Sequence, residues 1–169
     1  MTDERLGDDL WGALHALPRG GGVVFRHHAT PAGERRALLA RVAKVARRNR
    51  LMLVVAGPRS ARRADGHHGR GTRRGPGIRT WPAHSRVQAL AGRKAGADLL
   101  FISPVFATRS HPGGRVLGAR RAAAMLSGIS TPAIALGGLN ATRFRRLTGF
   151  YGWAAIDAWA NQKRNAVPT

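Results

Sequence analysis

Two loop segments, each on the C-terminal side of an apolar run, carry residue types that bind anions. Segment 108–111 reads Thr-Arg-Ser-His and follows the run 98–102. The pair Gly137–Gly138 follows the run 133–136, and glycine lets backbone N–H groups approach an anion closely. Successive parallel strands place their carboxyl ends at one edge of a sheet. The spacing therefore predicts a phosphate site at the mouth of an α/β barrel.

The side chains predicted around this mouth include hydroxyl and imidazole groups. We assign Thr108 and Ser110 to phosphate binding, with capping of the loop as the alternative. His111 and His84 are candidates to act on a ligand, and their alternative role is that of solvated loop residues.

Two more candidates each follow a strand. Arg26 ends the first predicted strand and either faces a ligand or forms a structural ion pair. Asp157 follows the last strand and acts either as a base or as the partner of an arginine. The histidine spacing matches no compact metal motif, so the sequence itself predicts no metal site.

Alternation of strands and helices predicts an α/β protein with a parallel sheet. The predicted strands are 22–26, 51–55, 64–68, 78–81, 98–102, 133–136 and 153–156. The predicted helices are 31–50, 85–95, 119–126 and 140–147. No linker or repeat divides the chain, so we predict one domain over residues 1–169. A complete (β/α)8 barrel needs about 200 residues or more, so this one is predicted to be small or incomplete.

The charge balance is strongly basic. The chain has 29 Lys and Arg residues against 8 Asp and Glu, a formal net charge of +21. The arginines occur in short pairs along the whole chain and form no single stripe with interleaved aromatics, so nucleic acid is not the predicted partner. The absence of cysteine excludes disulfide and thiolate chemistry. With no apolar run of about 18 residues and no secretory leader, we expect a cytoplasmic protein without membrane contact.

Five segments resemble the thiamine phosphate synthase/TenI family. They are Ala64-Asp-Gly-His-His-Gly69, Ala95-Gly-Ala-Asp98, Ser103-Pro-Val-Phe-Ala-Thr108, Thr131-Pro-Ala-Ile-Ala-Leu-Gly-Gly138 and Gly152-Trp-Ala-Ala-Ile156. The resemblance implies a (β/α)8 TIM barrel. The family's synthases join an aminopyrimidine pyrophosphate to a thiazole phosphate and release pyrophosphate, with magnesium. Its TenI-type members instead aromatise the thiazole phosphate.

The resemblance implies that the thiazole-phosphate half of the site is retained. Thr108 and Ser110 stand where the family has Thr-x-Thr. Gly137 and Gly138 match its glycine pair, whose amides would bind phosphate oxygens. Asp157 takes the place of a serine near that phosphate, where a carboxylate is repulsive unless it is protonated or paired with an arginine.

The pyrophosphate and magnesium half departs from the family pattern. Only Arg26 remains of the family's Gln-x-Arg-x-Lys, and His111 replaces a lysine. His84 lies in Pro-Ala-His where the family has Ser-x-His. Ala56–Gly57 replaces the family's Asn-Asp, and segment 69–73 has no carboxylate. Mg²⁺ therefore follows from the family alone, because the carboxylate ligands that it prefers are unmatched.

These observations predict a thiamine-biosynthesis protein that binds a phosphorylated thiazole at the C-terminal mouth of the barrel. If it is active, it is a transferase of the synthase type or a TenI-like thiazole isomerase, with a degenerate pyrophosphate and magnesium half-site. The alternative is a non-catalytic or regulatory homologue that binds a phosphorylated thiamine precursor. A basic nucleic-acid binder ranks third.

The first five residues, Met-Thr-Asp-Glu-Arg, resemble the end of the family's first strand. The apolar residues that precede them in the family are absent, so the barrel is predicted to miss most of its first strand. The strand at 22–26 would then have an unpaired edge, which favours association between chains. We therefore expect a homo-oligomer or a poorly soluble chain.

Overall fold

The computed structural model describes residues 1–57, 64–71, 76–109 and 113–160. They form two compact units: residues 1–67 together with the residues from 156 onwards, and residues 68–155. The described ranges contain seven strands, the number that the sequence predicts. No helix in those ranges is long and apolar enough to cross a membrane. The prediction of a single domain stays a prediction.

The first unit combines parallel strands with helices. Its elements are a 3-10 turn (Glu4–Leu6), α1 (Asp9–Ala16), β1 (Gly22–Phe25), α2 (Ala32–Arg48), β2 (Met52–Ala56) and α6 (Asp157–Ala160). The short strand β3 (Gly66–His68) begins in this unit and ends in the second. β1 and β2 pair in parallel, with Gly22 opposite Met52 and Phe25 opposite Val55.

Helix α2 covers this pair with one apolar face. Leu39, Val42, Ala43 and Ala46 are buried, and this spacing puts them on one side of a helix. They belong to one hydrophobic core with Phe25. Helix α1, which the sequence analysis does not predict, packs into the same core.

The beginning of the chain lies beside β1. The Thr2 amide donates to the carbonyl oxygen of Val24 at 2.8 Å, and the Arg26 amide donates to the Thr2 hydroxyl at 3.1 Å. These bonds occupy part of the edge of β1 within the chain itself. The missing first strand stays a prediction.

The second unit contains three consecutive βα repeats followed by a fourth parallel strand. Its elements are β4 (Ile78–Ala83), α3 (Arg86–Lys94), β5 (Leu99–Ile102), α4 (Ala119–Ala124), β6 (Ala133–Leu136), α5 (Ala141–Phe144) and β7 (Gly152–Ala154). β4 to β7 pair in that order, all in parallel. Their carboxyl ends therefore lie at one edge, where the loops that follow them meet.

Local residue choice explains how α3 packs on these strands. Ser85 caps the helix as the sequence predicts, because its hydroxyl accepts from the Gln88 amide at 3.3 Å. A Cβ on Gly92 would lie 2.7 Å from Trp81 Cδ1 and 2.8 Å from Leu100 Cδ2. Glycine thus allows the helix to approach the sheet closely, and Trp81 is a core residue.

Candidate functional site

In the second unit, the loops after β5 and β6 lie side by side. The Val105 amide donates to the carbonyl oxygen of Leu136 at 2.9 Å, and the Phe106 amide donates to that of Gly137 at 3.1 Å. These bonds continue the parallel pairing beyond the strand ends. They bring the glycine pair next to segment 103–107.

This close approach requires glycine at both positions. Gly137 and Gly138 have φ values of +102° and +61°, in the left-handed region that side chains disfavour. A Cβ on Gly138 would lie 2.2 Å from the carbonyl oxygen of Ala107, and a Cβ on Gly137 would lie 2.9 Å from Pro104 Cα. Within the described ranges, neither glycine amide donates to an acceptor. Both N–H groups are donors that a ligand oxygen can accept from.

Arg143 supports the glycine turn from its carbonyl side, a role that the sequence analysis misses. Its Nη1 donates to the carbonyl oxygen of Gly138 at 2.5 Å, and its guanidinium carbon lies 5.6 Å from the centre of the Phe106 ring. Asn140 caps α5 by accepting from the Arg143 amide at 2.9 Å. The turn is therefore fixed while a positive charge stays beside it.

The other predicted phosphate ligands divide between described and undescribed residues. Thr108 is half-buried in the loop that follows β5, the loop that contacts the glycine turn. Ser110 and His111 lie outside the described residues. Thr108, Gly137 and Gly138 thus lie on two adjacent loops of one unit.

His84 follows β4 and is held by Ser103, the residue that directly follows β5. Its Nδ1 lies 2.7 Å from the carbonyl oxygen of Ser103 and 3.2 Å from the Ser103 hydroxyl. A carbonyl oxygen only accepts, so Nδ1 carries the proton in this contact. In the neutral ring, Nε2 then holds the lone pair and is the nitrogen that can accept a proton.

Arg26, in the first unit, is tied to the beginning of the chain. Its Nη1 donates to Met1 Sδ at 3.6 Å. Burial, together with the smaller effect of the Arg26 charge, lowers the pKa of the Met1 amine from 8.0 to about 5. Arg26 is half-buried.

The two histidines after Arg26 both have pKa values lowered by burial. His27 is 5% exposed, has a left-handed φ of 38°, and its Nδ1 lies 2.9 Å from the Thr2 hydroxyl oxygen. Burial lowers the pKa of His27. Burial also lowers the pKa of His28, with further lowering by Arg26 and Arg35.

Arg35 on α2, which the sequence analysis does not single out, contacts the segments after β1 and at the end of β2. Its Nε donates to the carbonyl oxygen of His27 at 3.0 Å, and its Nη2 donates to that of Ala56 at 2.6 Å. It therefore joins the segments that follow β1 and end β2. A Cβ on Gly57 would lie 3.8 Å from Arg35 Nη2 and 3.9 Å from His28 Nδ1.

This arrangement does not fit a magnesium ion. Mg²⁺ prefers carboxylate and water oxygens, whereas Gly57, in the position that the resemblance aligns with the family's Asn-Asp, faces a guanidinium and an imidazole. Across the part of the chain that the structure describes, no group of three or more His, Cys, Asp or Glu residues is placed to hold a metal ion. We derive no catalytic step through magnesium.

Asp157 is the first residue of α6 in the first unit. The pKa of Arg5 is raised chiefly by its hydrogen bond to Asp3 and also by the negative charge of Asp157. Arg5 is thus one arginine that interacts electrostatically with Asp157. A carboxylate near a bound phosphate repels it unless the carboxylate is protonated or paired with an arginine. The role of Asp157 in phosphate binding stays a prediction.

The parallel strands that alternate with helices define the fold class of this protein. A solved structure has the same fold. The structure titled "Thiamine phosphate pyrophosphorylase from Pyrococcus furiosus" superposes with a TM-score of 0.76 and 26% sequence identity. The match covers 93% of this chain and 83% of that chain. The chain therefore has an α/β fold of the TIM-barrel type, as predicted.

Sequence comparisons then show which family the chain resembles. Residues 78–158 match the family described as thiamine monophosphate synthase. "Putative thiamine-phosphate synthase 2" of Aquifex aeolicus is 34% identical over 76 residues, which are 44% of this chain and 41% of that protein. "Thiamine-phosphate synthase" of Pyrococcus furiosus is 34% identical over 77 residues, 44% of this chain and 37% of that protein.

The curated relatives are matched over about two fifths of their length. The matched region contains the glycine turn and the segment that follows β5. These matches confirm that the chain resembles the thiamine phosphate synthase/TenI family, as the sequence analysis predicts.

Proposed function

We propose that this protein acts in thiamine biosynthesis and binds a phosphorylated thiazole at the glycine turn. The observation that carries this proposal is the pair of amides at Gly137 and Gly138, held in a turn where neither position has room for a Cβ. Two amide donors with a threonine hydroxyl on the next loop suit the oxygens of one phosphate group. Thr108 and Ser110 supply the hydroxyls in this proposal.

The charge of the second unit favours the same ligand. Residues 68–155 hold 14 Lys and Arg residues and a single acid, Asp98. Asp98 accepts from the Arg79 amide at 2.8 Å, so it is engaged in structure. A phosphate dianion is therefore attracted to this unit as a whole, and Arg143 adds a guanidinium next to the turn.

The catalytic half of the proposal rests on Arg26, His84 and His111. His84 offers an Nε2 lone pair, because Nδ1 is engaged with Ser103. Arg26 and His111 would neutralise a departing pyrophosphate. Asp157 would serve either as a base or as the partner of an arginine.

A non-catalytic or regulatory homologue is the second candidate. Arg35 favours this candidate. Its guanidinium donates to the carbonyl oxygens of His27 and Ala56, and Ala56–Gly57 is the pair that replaces the family's Asn-Asp. Such a protein would bind the phosphorylated precursor without turning it over.

Thermal unfolding in the presence of ligand tests the proposal. Phosphorylated thiazole should raise the melting temperature more than the unphosphorylated alcohol, because ligand binding stabilises the folded state by mass action. Thr108→Val should reduce this shift by removing one hydroxyl. Thr148→Val, which alters an exposed threonine outside these loops, is the matched control. Equal shifts for the two compounds, or equal effects of the two variants, would reject the phosphate site.

A further inference from the structure

A cationic cleft on the second unit lies between α3, α4 and the segment that follows β5. Its volume is about 610 Å³, and its charged lining consists of His84, Arg86, Arg115 and Arg121. We propose that this cleft binds an organic phosphate of the nucleoside diphosphate class. It is a second anion site, because neither the glycine turn nor Thr108 lines it.

Unbalanced positive charge is the first argument. Among the residues that the structure describes, no carboxylate lines the cleft. Arg115 and Arg121 are exposed, and within the described ranges their side chains donate to no partner. Their guanidinium groups are therefore available, and a guanidinium pairs with phosphate oxygens through two parallel hydrogen bonds.

The second argument is that the walls of the cleft are fixed. Arg86 Nη1 donates to the carbonyl oxygens of Ser127 at 2.7 Å and Met125 at 3.1 Å, which leaves its remaining N–H groups for a ligand. The Leu117 amide donates to the carbonyl oxygen of Pro104 at 2.9 Å. A preformed site loses less conformational entropy when a ligand binds.

His84 is fixed in the same way. Its amide donates to Gln88 Oε1 at 2.7 Å, and Arg70 Nη2 donates to the same oxygen at 2.8 Å. With Nδ1 held by Ser103 at 2.7 Å, the imidazole has a defined position on the cleft wall.

Size and polarity indicate the class of the ligand. Pro104, Leu117 and Met125 give the cleft an apolar surface beside its guanidinium groups. Ligand sites of about 300–1,000 Å³ hold molecules of drug size, larger than an inorganic ion. Three arginines suit two linked phosphate groups. A nucleoside diphosphate offers both an apolar ring and a diphosphate.

Calorimetric titration of the full chain with ADP tests this inference, with adenosine and inorganic pyrophosphate as comparisons. We expect ADP to bind more tightly than either and to weaken as salt is raised. Arg115→Gln/Arg121→Gln should lower the ADP affinity by about tenfold or more, because charge-assisted hydrogen bonds are lost. Arg120→Gln/Arg145→Gln removes the same charge from exposed residues outside the cleft and should change the affinity by less than about twofold.

The outcomes separate this cleft from its competitors. An equal loss in the two double variants would show that binding follows the overall charge, as for any polyanion, and would overturn the proposal. Adenosine binding as tight as ADP binding would also overturn it. Thr108→Val should leave the ADP affinity unchanged, and a loss there would move the ligand to the glycine turn. Far-UV circular dichroism and the melting temperature verify that each variant is folded.

Discussion

Replacement of Gly138 by alanine tests whether the glycine turn depends on close backbone approach. At φ +61°, a residue with a Cβ costs about 1–2 kcal/mol. The new Cβ would also lie 2.2 Å from the carbonyl oxygen of Ala107 and 3.0 Å from Phe106 Cβ. Such overpacking lowers the free energy of unfolding by about 1–3 kcal/mol, because the neighbouring groups must shift. We therefore expect the free energy of unfolding to fall by about 2–5 kcal/mol in total.

Gly128→Ala is the matched control for this substitution. Gly128 has φ +69°, but its Cβ would have no heavy atom within 4 Å. Only the backbone cost of about 1–2 kcal/mol should remain. Urea denaturation followed by circular dichroism measures both variants. If both lose the same free energy of unfolding, the close approach does not explain the glycine, and the account of the turn is refuted.

The remaining predictions concern the pH dependence of stability, the half-buried Arg35 and enzymatic turnover. The pKa of the Met1 amine falls from 8.0 to about 5 on folding, and that of His27 falls below its usual 6.5. The unfolded chain therefore binds more protons, so stability present at pH 8 should decline towards pH 5 in urea titrations; a flat profile would contradict this. Arg35→Met should lower the free energy of unfolding by about 2 kcal/mol or more, since it leaves partly buried carbonyl groups unsatisfied, whereas the exposed Arg36→Met should have little effect; similar losses would reject the role of Arg35. Magnesium-dependent condensation of the pyrimidine pyrophosphate with thiazole phosphate should be weak or absent, because the carboxylate ligands that Mg²⁺ prefers are unmatched; turnover of about 1 per second or more with ordinary magnesium dependence would contradict this.

Continuous apolar runs made the strands predictable. The predicted strand 133–136 matches β6, and the predicted strand at 98–102 begins one residue early, because Asp98 precedes the first strand residue. Ser85 has the residue type and position of a cap. The last strand was predicted at 153–156 but lies at Gly152–Ala154, and α1 was not predicted although Leu10 and Leu14 are spaced for a helix.

The contacts that shape the candidate site join residues far apart in the sequence, and the sequence alone does not predict them. The sequence suggests a glycine pair, but only the structure shows that the carbonyl oxygen of Ala107 excludes a side chain. Arg35 is one of many arginines in the sequence, and its importance follows from contacts to residues 8 and 21 positions away. The left-handed conformation of His27 likewise depends on packing against the beginning of the chain.

The central claim is that the amides of Gly137 and Gly138 bind the phosphate of a phosphorylated thiazole. A titration of the ¹⁵N-labelled chain, followed by two-dimensional NMR, observes these amides directly. The account predicts that both amide protons move downfield in a saturable way with the phosphorylated thiazole and stay in place with the unphosphorylated alcohol. Saturable binding that leaves both glycine resonances unmoved would contradict it.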